Sequence, residues 1–179
     1  MPIASTDILY KFSVLTGAAG NSGVGTMIGS LGKYLSTTQI TTATMNNLFD
    51  DVTGDENLAS NPEYKCFFVH NAHATLSLQN AVVWISADVA GGAVPSISVD
   101  TTGITVVGSA TAQAKQVVNE DTAPATQTFT APVTKATGLA LGTIPAGSCV
   151  AVWVKRTPAN TVALASDGCT LRVEGDTAP

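Results

Sequence analysis

CFFVHNAHATLSLQNAVVWISA, residues Cys66–Ala87, passes without a single Asp, Glu, Lys or Arg. A helix of roughly 20 predominantly apolar residues spans a bilayer, and this run is long enough. Its middle is not apolar, however. His70, Asn71, His73, Thr75, Ser77, Gln79 and Asn80 would each cost several kcal/mol in hydrocarbon when unpaired. Read at a period of two, the run becomes two strands. Lys65–Val69 is the first, Asn71–Ala74 a turn, and Thr75–Ile85 the second, with Leu76, Leu78, Val82 and Trp84 on one face. The expected unit is a hairpin inside a sheet.

The rest of the segment 61–179 reads the same way. Short strands are expected near Ser96–Val99, Ile104–Val107, Thr126–Thr130 and Gly138–Leu141, then a long one at Ser148–Lys155 and a last one at Cys169–Glu174. Gly91-Gly92, Pro95, Gly103, Gly108, Pro124, Pro132, Gly142, Pro145, Gly147, Pro158 and Gly168 separate them. Many short strands between Gly and Pro turns predict an all-β fold, an antiparallel β-sandwich of jelly-roll or immunoglobulin-like kind. Cys149–Val154 is apolar on both faces, as suits a central strand covered on both sides. Trp84 and Trp153 are expected in or beside the core.

Residues 1–60 read as an extended N-terminal arm. Ile8, Tyr10, Phe12 and Val14 alternate with Asp7, Leu9, Lys11 and Ser13, giving one strand with a mostly apolar face. The stretch from Thr16 to Thr26 is too rich in glycine to hold regular structure without outside support. Ser30–Gln39 is short and polar. Thr44–Val52 predicts two helical turns anchored by Leu48, Phe49 and Val52 and ended by Thr53-Gly54-Asp55.

The totals narrow the function. The chain has 179 residues, of which 12% are charged, against about 25% in average soluble domains. Thr, Ser, Asn, Gln and Gly supply the polarity instead. A surface so weakly solvated suits a protein packed against neighbours. The net charge is −5 and the eight Lys and Arg are scattered, so the clustered cations that nucleic-acid binding requires are missing. The N-terminus has neither a basic region nor an apolar core of a signal peptide, which predicts a protein made in a cytoplasm. Cys66, Cys149 and Cys169 each sit in apolar strand-like contexts. Buried free thiols fit that pattern, and a Cys149–Cys169 pair is the alternative.

Little in the sequence points to chemistry. Cys66, His70 and His73 form a C-x3-H-x2-H set without a fourth zinc ligand at sensible spacing, so the two histidines read as turn and strand-end residues. Asp50, Asp51, Asp55 and Glu56 resemble a calcium loop only superficially, because the first ligand position would fall on Phe49. They read as carboxylates that solvate a loop. No P-loop, dinucleotide fingerprint or nucleophile elbow occurs, and both histidines lie in one turn, leaving no base for a Ser-His-Asp triad elsewhere. The expectation is a non-enzymatic protein with no cofactor and no small-molecule substrate, and with no nucleic-acid or membrane partner.

One resemblance emerges. Asn46-Asn47-Leu48-Phe49-Asp50-Asp51-Val52-Thr53-Gly54-Asp55-Glu56 leads to Glu63-Tyr64-Lys65-Cys66-Phe67-Phe68-Val69-His70 and on to Ala81-Val82-Val83-Trp84-Ile85. Thr137-Gly138-Leu139 to Pro145-Ala146-Gly147 leads to Val152-Trp153-Val154-Lys155-Arg156, and Thr170-Leu171-Arg172-Val173-Glu174 follows. This texture and order resemble small structural virion proteins of tailed bacteriophages, over about residues 40–176. The resemblance implies a structural role, with a capsid decoration or cement protein on the phage head as the leading expectation. Its partners would be the major capsid protein and copies of itself, as dimers or trimers. The arm would supply the contacts, through Ile8, Tyr10, Phe12 and Val14 on an edge strand and Leu48 and Phe49 nearby. A tail, neck, baseplate or fibre-attachment protein and a carbohydrate-binding module are the competing expectations.

Overall fold

The computed structural model describes residues 2–177; Met1, and Ala178 and Pro179 at the end of the second segment, lie outside the described residues. Its strands are β1 (Ile8–Val14), β2 (Tyr34–Gln39), β3 (Glu63–Asn71), β4 (Leu78–Asp88), β5 (Val94–Val106), β6 (Leu139–Ile144), β7 (Ser148–Thr157) and β8 (Cys169–Thr177), with one short helix, α1 (Gly54–Ala59). They form two antiparallel sheets packed as a β-sandwich. A five-stranded sheet runs β2-β1-β3-β7-β5 and a three-stranded one β6-β4-β8. Among the described residues no helix is long and apolar enough to cross a membrane.

Alternation builds the core. On β3 and β7, Phe67, Val69, Val150, Val152 and Val154 point inward, where they meet Leu78, Ala81, Val83 and Ile85 of β4 and Leu141 and Ile144 of β6. The intervening residues Tyr64, Cys66, Phe68, Cys149, Ala151 and Trp153 point to the other face of the same sheet. That face is also covered. Leu31, Val107, Ala114, Val117 and Phe129 lie over it, contributed by two irregular segments. Lys33 N–H donates to the Lys115 carbonyl (3.0 Å) and Val117 N–H to the Leu31 carbonyl (3.1 Å), tying the segments together. The five-stranded sheet is therefore the middle of three layers, which is why β3 and β7 read as apolar on both faces.

Two buried polar side chains fasten the outer layer. Asp100 accepts from Trp153 Nε1 (2.7 Å), Lys115 N (2.9 Å) and Thr102 N (2.8 Å). Gln113 accepts from Leu35 N (3.0 Å) and donates to the Val106 carbonyl (2.9 Å).

Cys66–Ala87 is not a hairpin. β3 belongs to the larger sheet and β4 to the smaller, so the turn between them crosses the sandwich. Both strands carry apolar inner faces, and stacking them face to face buries more than pairing them edge to edge. The crossing is held by side chains. Asn71 Nδ2 donates to the Leu76 and Ile144 carbonyls (2.8 and 2.9 Å), and His73 Nδ1 accepts from Thr75 N and Leu76 N (3.1 and 3.0 Å). A bulge corrects the β4 facing as well. Asn80 has φ 50, the register shifts between Gln79 and Val82, and Val83 and Ile85 turn inward in place of Val82 and Trp84. Trp84 is still covered, with the Arg172 guanidinium 5.8 Å from its ring centre.

The segment 1–60 differs from the expected arm in three respects. β1 is not an edge strand, because it pairs with β2 on one side and β3 on the other. A fully buried β3 needs a neighbour at each edge, and β1 supplies one. The polar stretch Ser30–Gln39 holds a second strand, β2. The helix lies not over Thr44–Val52, which forms turns and bends, but just beyond it. Thr53 is its N-cap. Thr53 Oγ1 accepts from Glu56 N, and the Glu56 carboxylate accepts from Thr53 N (2.7 Å). Farther along, Ser96–Val99 and Ile104–Val107 merge into the single bulged strand β5, and of Thr126–Thr130 only Thr130 makes a bridge, to Ile97.

Candidate functional site

A three-stranded sheet cannot roof a five-stranded one. β6 lies toward β5 and β7, so beyond β8 the inner faces of β1 and β3 are left to loops. Residues 40–53 and 158–168 arch over that gap and enclose a cavity of about 1060 Å³. Tyr10, Phe67 and Val154 form its floor, Leu48 and Phe49 one wall, and Leu164 and Leu171 another.

Arg156, at the end of β7, holds the first wall in place. Its Nε donates to Glu63 Oε2 (2.6 Å), and its Nη2 both pairs with the same carboxylate and reaches Asp50 Oδ1 (3.4 Å). Its guanidinium lies 4.8 Å from the centre of the Phe49 ring. Glu63 is buried, and burial raises its pKa against the opposing pull of Arg156. Beside it the buried Lys65 ammonium pairs with Glu120. Carboxylate oxygens of Asp50, Glu63 and Glu120 lie within 4.8 Å of one another, a spacing that could hold a cation. Arg156 and Lys65 already fill that role, so the group serves as an ion-pair network.

The opposite rim is acidic and less well partnered. Asp88 ends β4 and Asp167 precedes β8. Asp167 Oδ2 accepts from Ala93 N (2.7 Å), while its buried Oδ1 has no hydrogen-bond partner. Burial, then the neighbouring Asp167, raises the Asp88 pKa. Of the charged side chains lining the cavity, Asp50, Asp51, Asp88 and Asp167 face the single cation Arg156.

The sequence-predicted contact residues divide here. Ile8 and Tyr10 pack against the inter-sheet core, Val14 is buried and Phe12 half-buried, so the β1 side chains are used inside the chain. Tyr10, Leu48 and Phe49 come together at the cavity. Asp55 and Glu56 open α1 instead of converging with Asp50. No protein-family model, curated protein or solved structure matches this chain.

The site is therefore read on its own geometry. The free thiol of Cys169 lines the cavity, and burial, then the carboxylates of Asp88 and Asp167, push it up to about 11. His70 and Cys149 are paired directly across β3 and β7, but both are buried. Burial pushes the Cys149 thiol up to about 11 and raises Cys66 well above its usual value. His73 is committed to its turn. All three thiols are free, with Cys149 and Cys169 in different sheets. Sequence reasoning missed Glu63, Arg156, Asp88 and Asp167. Glu63 and Lys65 could have been found, since two charges in an otherwise apolar strand demand partners.

Proposed function

We propose that this protein is a non-enzymatic structural component of a tailed-bacteriophage virion, a cement or decoration protein bound to the major capsid protein on the head surface. One observation carries the reading. The covering layer over the five-stranded sheet is built largely from chain without charge: residues 17–32, 107–114 and 122–129 contain no Asp, Glu, Lys or Arg. These segments and their neighbour Val118 leave apolar side chains in water, with Val24 75%, Ile28 72% and Val118 82% exposed. Depletion of charge with scattered apolar contacts is the composition of a protein–protein interface core. A rigid sandwich beneath it suits a part repeated over a shell. The resemblance of residues 40–176 to small virion proteins supports the same role.

Quantitative mass spectrometry of particles of the encoding phage tests it. A copy number comparable with that of the major capsid protein is expected. A handful of copies per particle would move the protein to the neck, tail or baseplate. Its absence from particles would overturn the virion role. Val118→Asp with Ile28→Asp should abolish rebinding to stripped heads while the far-ultraviolet spectrum stays unchanged.

A further inference from the structure

The cavity borders an unpaired strand edge. β8 ends the smaller sheet, hydrogen-bonded to β4 on one side and to no strand on the other among the described residues. The far edge of β6 is open too, but the hollow beside it, lined by Leu139 and Ala140 of β6 with Ser98 and Val99 of β5, is smaller, about 300 Å³, and carries no charged side chain. The orientation of the β8 backbone follows from the ladder. Val89 N–H donates to the Gly168 carbonyl (3.1 Å), so Thr170 also faces β4, and Cys169, Leu171 and Val173 turn their backbone groups outward. Cys169 and Leu171 line the cavity. Edge strands left open in this way are normally blunted. Two of the other edges are: Thr37 N–H on β2 is bonded to the Gly23 carbonyl, and Ile97 on β5 is bridged by Thr130.

We infer that the cavity is a docking groove for an extended peptide segment of a partner protein, added as a strand to β8 at Cys169–Leu171. Main-chain bonds to an edge supply affinity, and alternate side chains enter pockets. Apolar side chains would rest on Tyr10, Leu48 and Phe49. Charge selects the flank. Four carboxylates line the cavity against one guanidinium, which is spent on Glu63 and Asp50. The buried Asp167 Oδ1, without a partner, sits beside the start of β8 and asks for a donor. A Lys or Arg of the incoming segment meets Asp167 and Asp88; an acidic ligand is repelled. This inference goes beyond the virion role and does not depend on it.

The test uses the full chain and a pool of end-blocked heptapeptides with Lys at both ends and Val, Ile, Leu, Phe or Thr between. Peptides selected from the pool are titrated singly by fluorescence anisotropy. Saturable binding is expected. A central Pro, which removes a ladder donor, should weaken it about tenfold or more. Glu in place of the terminal Lys should weaken it about tenfold at low salt, and Asp167→Asn or Asp88→Asn about three- to tenfold. Val118→Ser, on the covering layer, should leave it unchanged. Independently, the amides of Cys169 and Leu171 should gain hydrogen-exchange protection when peptide binds. Failure of every peptide in the pool to saturate, equal binding of the Pro-centred peptide, or no added protection at Cys169 and Leu171 would overturn the inference.

Discussion

At the scale of single residues, the fold stores its sensitivity in a few buried polar groups. His70 lies on the covered face of β3 with Nδ1 unpartnered, beside Lys11 of β1 and opposite Cys149 of β7. Burial, then the Lys11 charge, lowers its pKa from the ordinary 6.5. The unfolded chain therefore takes up the proton first as pH falls. The contribution of neutral His70 to stability is complete above about 6.5 and is lost as pH drops below it. Glu63 has the opposite sign: burial raises its pKa, so its protonation adds stability as pH falls toward the ordinary 4.5. The urea midpoint should fall between pH 7.5 and 5.5, and His70→Gln should flatten that slope. Asp100 is a second such residue. Asp100→Ala strands the buried Trp153 indole N–H and removes the acceptor of two part-buried backbone donors, at a cost of about 3 kcal/mol, measurable by urea denaturation at neutral pH. Neither role was legible beforehand. Asp100 reads as a turn residue because its partners Lys115 and Trp153 are distant in sequence, and His70 reads as a strand end, whereas β3 continues through it to Asn71.

At the scale of elements, what the sequence showed depended on range. A run apolar on both faces located β7, and alternation located β1. It placed a break near Asn71–Ala74 but could not say whether the strands on either side paired or stacked. That choice rests on Asn71 reaching Ile144, which is 73 residues away. Asn80 flipped the β4 facing through a bulge that no period-two reading anticipates. The helix was misplaced although its signal was local: Thr53-x-x-Glu56 is a capping box, and weighing it over the apolar spacing of 44–52 would have put the start at Gly54. Glycines test the layer contacts directly. A Cβ at Gly32, where φ is +93, would stand 1.9 Å from the Lys115 carbonyl oxygen and 2.9 Å from Trp153, whereas one at Gly54 meets nothing within 4 Å. Gly32→Ala should cost about 3 kcal/mol or more and loosen the outer layer, while Gly54→Ala should be neutral within about 0.5 kcal/mol; paired thermal melts separate the two.

At the scale of the whole molecule, the two-part description of the sequence gives way to one interlocked body. The first strand fills the five-stranded sheet beside β3, and residues around Ser30–Lys33 close its outer layer. A chain lacking residues 2–33 should therefore fail to fold, giving a disordered far-ultraviolet spectrum and collapsed amide dispersion; a folded, soluble fragment would show that the first strand is dispensable. The candidate site was least legible of all, because a cavity made by a mismatch in sheet width has no sequence signature, and only Leu48 and Phe49 hinted at it as anchors without a partner. The strand order has a kinetic consequence. Glu63 and Arg156, neighbours across β3 and β7, are 93 residues apart, and Asn80 and Asp176, across β4 and β8, are 96 apart. Each sheet closes only after a large loop has been searched, so folding should run in milliseconds to seconds rather than microseconds. During synthesis β3 and β4 wait with both apolar faces bare until β7 and β8 emerge, and that interval is when the nascent chain is most exposed to aggregation and most in need of a chaperone.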